Sequence, residues 1–474
     1  MWQVSRAERL DPDQVKALQQ QRLRKLVAHV LAKSRFYAAY YREHGITADV
    51  LDEIQLADLP PINKEIMMAN FDALVCDPAI TRAGVEKFLS DSSDLKARYQ
   101  GRYHVAHTSG STGSLGIFVY GRRDWDLMQA LVGARILRYR PTIGRIRHAF
   151  ILKTDGHYGG VKLCQGAPGI AFRQQALSIA APIDQTLREV QRFQPHLLAG
   201  YGSGLCLLAQ QQLAGRIHIR PARVMSSGEP LTEEMARTIR DAFQVTPIDV
   251  YAASESLAIG ISCRQNRGIH LFDDWHGIEL TDDKGRPAQP GCCGRLVLTN
   301  LYNYTQPLIR YQMSDEIRVA DGGQRTEDGS QKTAGISSPP PASGRCPCGS
   351  PFQLVERIAG RTEEILWFER PDGTSEYLHP FIIAGLHVPG IERWQIVQTG
   401  ANELLVRLKS TLDAETAVRR AREEIAAILR CKRLEQLITT RIVVVDEIPN
   451  DPNTGKCRFA IPLKDAQLCV STAS

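Results

Sequence analysis

Apolar residues at Leu23, Val27, Val30 and Leu31 share one face at helical spacing, behind Asp11-Pro12-Asp13-Gln14. That opening supplies an N-cap, a proline at the first helical position and a capping-box glutamine. The first hundred residues therefore read as mainly helical. Between about 147 and 310 the pattern changes. Short apolar runs at His148–Leu152, Ala222–Ser226 and Ile248–Tyr251 alternate with amphipathic stretches at Ile183–Phe193 and Glu233–Phe243. This alternation predicts α/β layers, with Gly294–Asn300 and Leu308–Tyr311 as later strands.

Asp321 to Gly344 is rich in Gly, Ser, Pro and Thr, the composition of a mobile surface loop. From Ile358 the pattern restarts as a compact unit. Strands are predicted around Trp394–Thr399 and Glu403–Leu408, and a helix from about Ala414 carries an apolar stripe of Val418, Ala421, Ile425, Ile428 and Leu429. Arg441–Val445 follows as a strand. The expected division is a large domain over 1–359 and a small α+β domain over 360–474, with the boundary near Gly360. No internal repeat is visible.

A chain of 474 residues exceeds one compact core, which agrees with a large domain plus a smaller one. Its 43% hydrophobic and 23% charged content is that of a soluble globular protein, and a net charge of +6 favours anionic ligands only weakly. No block of Lys and Arg with interleaved aromatics supports nucleic-acid binding. The first residues lack the apolar stretch of a signal peptide, and no run of about 18 apolar residues occurs, so a cytoplasmic location without a membrane span is expected. Eleven scattered cysteines fit reduced thiols better than a disulfide framework.

Two groups of residues carry candidate chemistry. His107-Thr108-Ser109-Gly110-Ser111-Thr112-Gly113-Ser114-Leu115-Gly116 combines glycines, which let the backbone approach an anion, with small hydroxyl donors. Such loops wrap nucleotide phosphates; an ordinary flexible turn reads the same way. It is no Walker loop, because Leu115-Gly116-Ile117 lacks the Gly-Lys-Ser/Thr ending. The second group is Cys263 and His270 with Cys346-Pro347-Cys348. Three sulfurs and one imidazole can complete a four-coordinate structural zinc site stapling the loop after residue 320 to the large domain, or they are buried free thiols.

Five further segments follow the hydroxyl-rich loop in order: Ser226-Ser227-Gly228-Glu229-Pro230, Tyr251-Ala252-Ala253-Ser254-Glu255, Arg310-Tyr311-Gln312-Met313-Ser314-Asp315, Gly360-Arg361-Thr362-Glu363-Glu364 and Asn453-Thr454-Gly455-Lys456-Cys457-Arg458. Their order and spacing resemble the core motifs of adenylate-forming enzymes, in the phenylacetate–CoA ligase and CapK-like branch, over roughly residues 105 to 460. The resemblance implies a large domain of layered sheets and helices with a smaller mobile domain. It also implies activation of a carboxylic acid by ATP to an acyl-adenylate, then transfer to an acceptor.

The same resemblance implies roles for individual residues. Thr108, Ser109, Gly110, Ser111, Thr112 and Gly113 hold phosphates, and Glu255 binds Mg²⁺, a hard cation suited to a carboxylate. Ser227, Gly228 and Glu229 line the adenine, Tyr251 and Ser254 belong to the nucleotide-binding set, and Asp315 takes the ribose hydroxyls with help from Arg361. Lys456 meets the charge developing at the α-phosphate, and Glu364 occupies the hinge. Plainer readings exist for each: a solvated helix-start acid for Glu255, a domain-interface salt bridge for Asp315 and Arg361, a strand-to-helix turn for Ser227–Glu229, and a surface lysine for Lys456. His157, in a Gly-rich aromatic stretch, gates the acceptor, lines the acid pocket or is merely packed.

Three features qualify the resemblance. Ser114-Leu115 stands where related loops often carry Lys-Pro or Pro-Lys, so one phosphate contact is absent or supplied elsewhere. Phe368–Thr374 reads as a hairpin turn of the CapK-like type, which weakens the inference of CoA. No carrier-protein segment is evident after Lys464, leaving diffusible CoA, an amine or a separate carrier protein as acceptor. An aryl or other hydrophobic acid with transfer to CoA is the leading expectation. Amide formation, carrier loading and a non-catalytic zinc-stapled nucleotide-binding protein are its rivals.

Overall fold

The computed structural model describes residues 2–91, 94, 96–108, 115–138, 144–154, 156–165, 169–282, 284–289, 292–319, 346–359, 365–379, 382, 388, 390–448 and 458–463. They form two compact units. Unit 1 joins residues 1–106, 117–141 and 249–360; unit 2 joins 107–116, 142–248 and 361–474. The mixture of helices with large sheets is the α/β class that the hydrophobic pattern predicts.

Unit 1 opens with the helices Trp2–Ala7, Pro12–Lys33 and Arg35–Glu43. Asp11 accepts from the Gln14 backbone N–H at 2.8 Å and Gln14 returns a bond at 3.1 Å, the predicted capping box. Such a cap contributes about 1 kcal/mol. The buried face is Val15, Leu23, Leu26, Val27 and Val30; Leu31 sits at its half-buried edge. Deeper in the unit, Arg135 and Asp274 form a fully buried fork at 2.6 and 2.8 Å, and Arg135 also donates to the Val4 carbonyl at 2.8 Å. Removing one partner would strand the other charge, at a cost of about 3–5 kcal/mol.

The sheet of unit 1 runs in the hydrogen-bonded order His276–Thr281, Cys293–Asn300, Tyr311–Val319, Leu354–Ala359, Ile269–Leu271, Ser256–Ser262 and Ile248–Ala253. Each pairing is antiparallel. One expected strand is displaced: Leu308–Arg310 lie outside the ladder, which begins at Tyr311. Arg310 adopts φ 47°, a left-handed conformation that interrupts extension just before the strand.

Unit 2 carries four parallel strands in the order Phe172–Ser178, Ile146–Leu152, Leu197–Gly200 and Arg223–Ser227. Helices Ile183–Phe193, Gly202–Leu213 and Glu233–Phe243 connect or follow them, and two match the predicted helical stretches residue for residue. Parallel strands require such crossovers; the inner strands are buried over His148–Leu152 and Leu197–Leu198, whereas the edge strand Phe172–Ser178 leaves Arg173 and Ala176 exposed. Ala149, Ile151, Leu198 and Val224 meet Ile183, Val190, Leu205 and Ile239 in one core, which also takes in Tyr377 and Ile382.

Within unit 2, the late segment builds its own sheet in the order Thr439–Val444, Glu403–Ser410, Ile391–Gly400 and Ala460–Ile461. Ala417, Ala421, Ile425 and Leu429 bury one face of the helix Ala414–Cys431 against it, with Val418 and Ile428 half-buried. The predicted hairpin is present as Leu366–Glu369 paired with Ser375–Leu378. Among the described residues, no helix is long and apolar enough to cross a membrane.

Candidate active site and metal centre

In unit 1, Ala253 pairs directly with Ser256, so Ser254 and Glu255 form a two-residue turn between antiparallel strands. Glu255 is thus not the solvated start of a helix. The Tyr120 hydroxyl donates to the Ser254 carbonyl at 2.7 Å, and the Asn300 amide donates to the Glu255 carbonyl at 3.1 Å. These two bonds fix the turn from other elements. The Glu255 side chain is buried, and burial pushes its carboxyl up to about 7; a backbone hydrogen bond opposes the rise, Asp315 adds to it and Lys64 opposes it. A carboxylate in that setting gains strongly from a nearby cation.

Asp315 lies on the strand Tyr311–Val319 and accepts a hydrogen bond from the Tyr251 hydroxyl at 2.8 Å. Tyr251, Glu255 and Asp315, drawn from two separated sequence motifs, therefore converge. Sequence reasoning missed the third charge here, Lys64. Ile62 bonds to the Arg310 carbonyl at 3.1 Å and receives a bond from the Gln312 N–H at 2.8 Å, which lays its segment along the Asp315 strand. Asn63 then caps the helix Lys64–Ala69 through the Ile66 N–H at 2.9 Å. Burial lowers the Lys64 pKa while Glu255 raises it, so the two charges sense each other. The only signal in the sequence was that short N-cap.

Arg310, in the same motif as Asp315, does structural work. Its guanidinium forks onto Glu279 at 2.8 and 2.9 Å and donates to the carbonyls of Ala57 and Leu59 at 3.0 and 2.6 Å.

Unit 1 also gathers Cys263, His270, Cys346 and Cys348, whose ligand atoms all lie within 4.8 Å of one another. The Cys263 and Cys346 sulfurs are 3.8 Å apart, and Cys348 Sγ is 3.2 Å from His270 Nε2. Bonds of about 2.3 Å from a tetrahedral zinc to two thiolates give a sulfur separation of about 3.8 Å. His270 Nδ1 faces the Phe352 carbonyl at 3.0 Å, so Nδ1 carries the proton and Nε2 is left as the ligand atom. The Cys346 N–H donates to the Ser350 carbonyl at 3.2 Å and the Gly349 N–H donates to the Cys346 carbonyl at 2.8 Å, closing a tight turn around Cys346 and Cys348.

In unit 2, Thr108 closes the neck of the hydroxyl-rich loop. Its N–H donates to the Gly116 carbonyl and its Oγ1 accepts from the Gly116 N–H, both at 3.0 Å. The neighbouring His107 N–H bonds the carbonyl of His157 at 3.2 Å, and the His157 side chain is buried. Ser227 ends the strand Arg223–Ser227, and Gly228 turns with φ +87°. A Cβ on Gly228 would meet the Tyr201 ring at 2.9 Å, so glycine is required by conformation and by space. The Glu229 carboxylate accepts from the Ser203 N–H in the first turn of the helix Gly202–Leu213. Ser109, Gly110, Ser111, Thr112, Gly113, Arg361, Glu364 and Lys456 lie outside the described residues.

No protein-family model matches the sequence. The chain is 25% identical over 380 residues to the phenylacetate–coenzyme A ligase of Escherichia coli K12, covering 76% of this chain and 75% of that enzyme. It is 25% identical over 327 residues to the Thermus thermophilus enzyme of the same name, covering 65% and 66%. Protein CapK of Staphylococcus aureus is 19% identical over 324 residues, covering 64% and 62%. In fold it resembles a 2-hydroxyisobutyryl-CoA ligase solved with 2-HIB-AMP and CoA, with a TM-score of 0.61 at 20% identity over 99% of this chain and 94% of that one. By sequence, the chain is related to the phenylacetate–CoA ligases and CapK at 19–25% identity, and it shares the fold of the 2-hydroxyisobutyryl-CoA ligase.

Proposed function

We propose that this chain is an AMP-forming carboxylate ligase. It activates a carboxylic acid, in our reading an aryl or other hydrophobic one, by attack of the carboxylate on the α-phosphorus of ATP to give the acyl-adenylate and pyrophosphate, then passes the acyl group to a thiol with release of AMP. The observation that carries the reading is the hydrogen-bonded pair Tyr251 and Asp315, with the Asp315 charge also bearing on the buried Glu255 and Lys64 acting on Glu255 in the opposite sense. Asp315, oriented by Tyr251, has acceptor capacity for ribose hydroxyls. Glu255 is the candidate ligand for Mg²⁺, which when bound would supply charge neutralisation for the phosphates.

The other roles rest on the resemblance. The loop from Thr108 to Gly113 wraps phosphates, Ser227 to Glu229 line the adenine, and Arg361 assists at the ribose. Lys456 stabilises charge at the α-phosphate, and Glu364 serves as hinge of a small domain starting at 360. Lys64 contributes positive charge that acts on Glu255. His157 is assigned to the acid pocket. Zn²⁺ held by Cys263, His270, Cys346 and Cys348 is structural in this reading, since protein fills all four positions. We assign the reaction to the cytoplasm.

CoA is the preferred acceptor. The hairpin Leu366–Glu369 and Ser375–Leu378, of the kind expected for CapK-like chains, favours an amine or a separate carrier as the second reading. Pyrophosphate release across a panel of carboxylic acids, with and without CoA or amines, tests both. ATP turnover with no acid in a broad panel would overturn the ligase reading, and adenylate formation without thioester in the presence of CoA would move the acceptor to an amine or carrier.

A further inference from the structure

The strand Ser375–Leu378 and the residue after it reach the first turns of two different helices in unit 2. Glu376, fully buried, accepts from the Ile183 N–H at 3.1 and 3.2 Å, where the helix Ile183–Phe193 begins. Arg370 at 2.9 Å and Lys432 at 3.5 Å balance its charge, and Lys432 also donates to the Ala181 carbonyl at 2.8 Å. An anion at a helix N-terminus is electrostatically favoured there. The segment is thereby anchored.

Three residues on, His379 is equally buried, and its Nε2 lies 2.7 Å from the Ser203 hydroxyl. Its ring centroid is 5.3 Å from that of Tyr201. Tyr201 and Ser203 are the residues that hold the turn after Ser227. The Tyr201 ring packs where a Gly228 side chain would be, and the Ser203 N–H bonds the Glu229 carboxylate. One imidazole thus touches both supports of the turn.

We propose that His379 is a positioning residue for the nucleotide-lining turn Ser227–Glu229, so that seating of the Ser375–His379 segment and the shape of that turn are coupled. The inference rests on the adenylation reading above. Coupling between two sites is reciprocal: a segment that shapes the turn is itself held more firmly when a nucleotide occupies the turn. His379 acts through Tyr201 and Ser203, which distinguishes it from residues that touch the reacting atoms.

The test uses the full chain with AMP as probe, measuring affinity by calorimetry and hydrogen exchange at the Tyr377 and Leu378 amides with and without AMP. H379A is expected to weaken AMP by about tenfold and to abolish nucleotide-dependent protection of those amides. H379N, which keeps a polar partner for Ser203, should recover part of the affinity. S203A should lose less than H379A, and the double variant should be no worse than H379A alone, since both act on one path. AMP affinity and protection unchanged in folded H379A overturns the proposal; if H379A folds poorly, the same result in S203A does so. A wild-type chain that binds neither ATP nor AMP removes the adenylation reading and this coupling with it, an outcome distinct from failure of the coupling alone.

Discussion

The Tyr251 hydroxyl donates to Asp315 Oδ2 at 2.8 Å although three strands separate their own strands in the hydrogen-bonded order. A flat sheet would hold the two strands about 19 Å apart, beyond the reach of a tyrosine and an aspartate. The sheet must therefore curl strongly, and the curl is what turns distant motifs into neighbours. Y251F keeps the buried ring and removes only the hydrogen bond to a carboxylate, worth about 1.5–3 kcal/mol. We expect ATP affinity to fall by about tenfold or more, the melting temperature to drop by about a few degrees, and D315A to lose more affinity. Calorimetric titration of ATP decides it; unchanged affinity in Y251F would show that the pair has no part in binding the sugar.

Lys64 and Glu255 form the second testable relationship. Replacing the ammonium by an apolar chain of similar length leaves Glu255 without its opposing cation. K64M should slow acyl-adenylate formation by about 10- to 100-fold, and K64R should recover most of the rate. Single-turnover kinetics read this directly. Equal rates in K64M and wild type would show that Lys64 has no part in adenylation.

Lys456 is predicted from the Thr454-Gly455-Lys456 pattern alone. K456A should bind ATP normally and form adenylate about 10²–10³-fold more slowly, because a positioned cation acts mainly on charge that develops during reaction. Rapid-quench measurement of adenylate formation at wild-type speed would sink the assignment.

Much of this arrangement was legible in the sequence, for identifiable reasons. The helices at 183–193 and 233–243 have wide amphipathic faces, and the Asp11 box writes its cap into four residues. The motif residues stand out because glycine, hydroxyl and carboxylate types recur in a set order. Lys64 was hidden because proximity to Glu255 depends on a short pairing between Ile62 and the strand at Tyr311, a non-local contact without a motif. Arg310 shares a sequence motif with Asp315, yet only the fold shows that it braces Glu279 and the Ala57–Leu59 backbone. The displaced strand start at Tyr311 follows from a positive φ on arginine, which residue type does not announce.

Zinc is the next expectation. Protein prepared without chelator should carry about one zinc per chain, and the pair C346S and C348S together should lose it and melt lower while nucleotide affinity persists. Elemental analysis with thermal melts checks both halves. Metal-free protein whose melting the double replacement leaves unchanged would mark these residues as plain thiols.

His148 offers a prediction about pH. Its imidazole is buried beside Phe150 and Phe172, and among the described residues neither ring nitrogen has a hydrogen-bond partner. Burial pulls its pKa from 6.5 down to about 4. The folded chain therefore keeps this ring neutral while the unfolded chain protonates it below 6.5. Between those values the unfolded state binds more protons, so stability is fully present above about 6.5 and declines as pH falls toward about 4. H148F fills the same space with an apolar ring among aromatic neighbours. It should match or exceed wild-type stability at pH 7, and its advantage should grow on acidification to roughly 2–3 kcal/mol near pH 4. Denaturant melts of both proteins from pH 7.5 to pH 4 measure that difference. If it stays constant across the range, His148 does not titrate on unfolding and its burial carries no acid sensitivity.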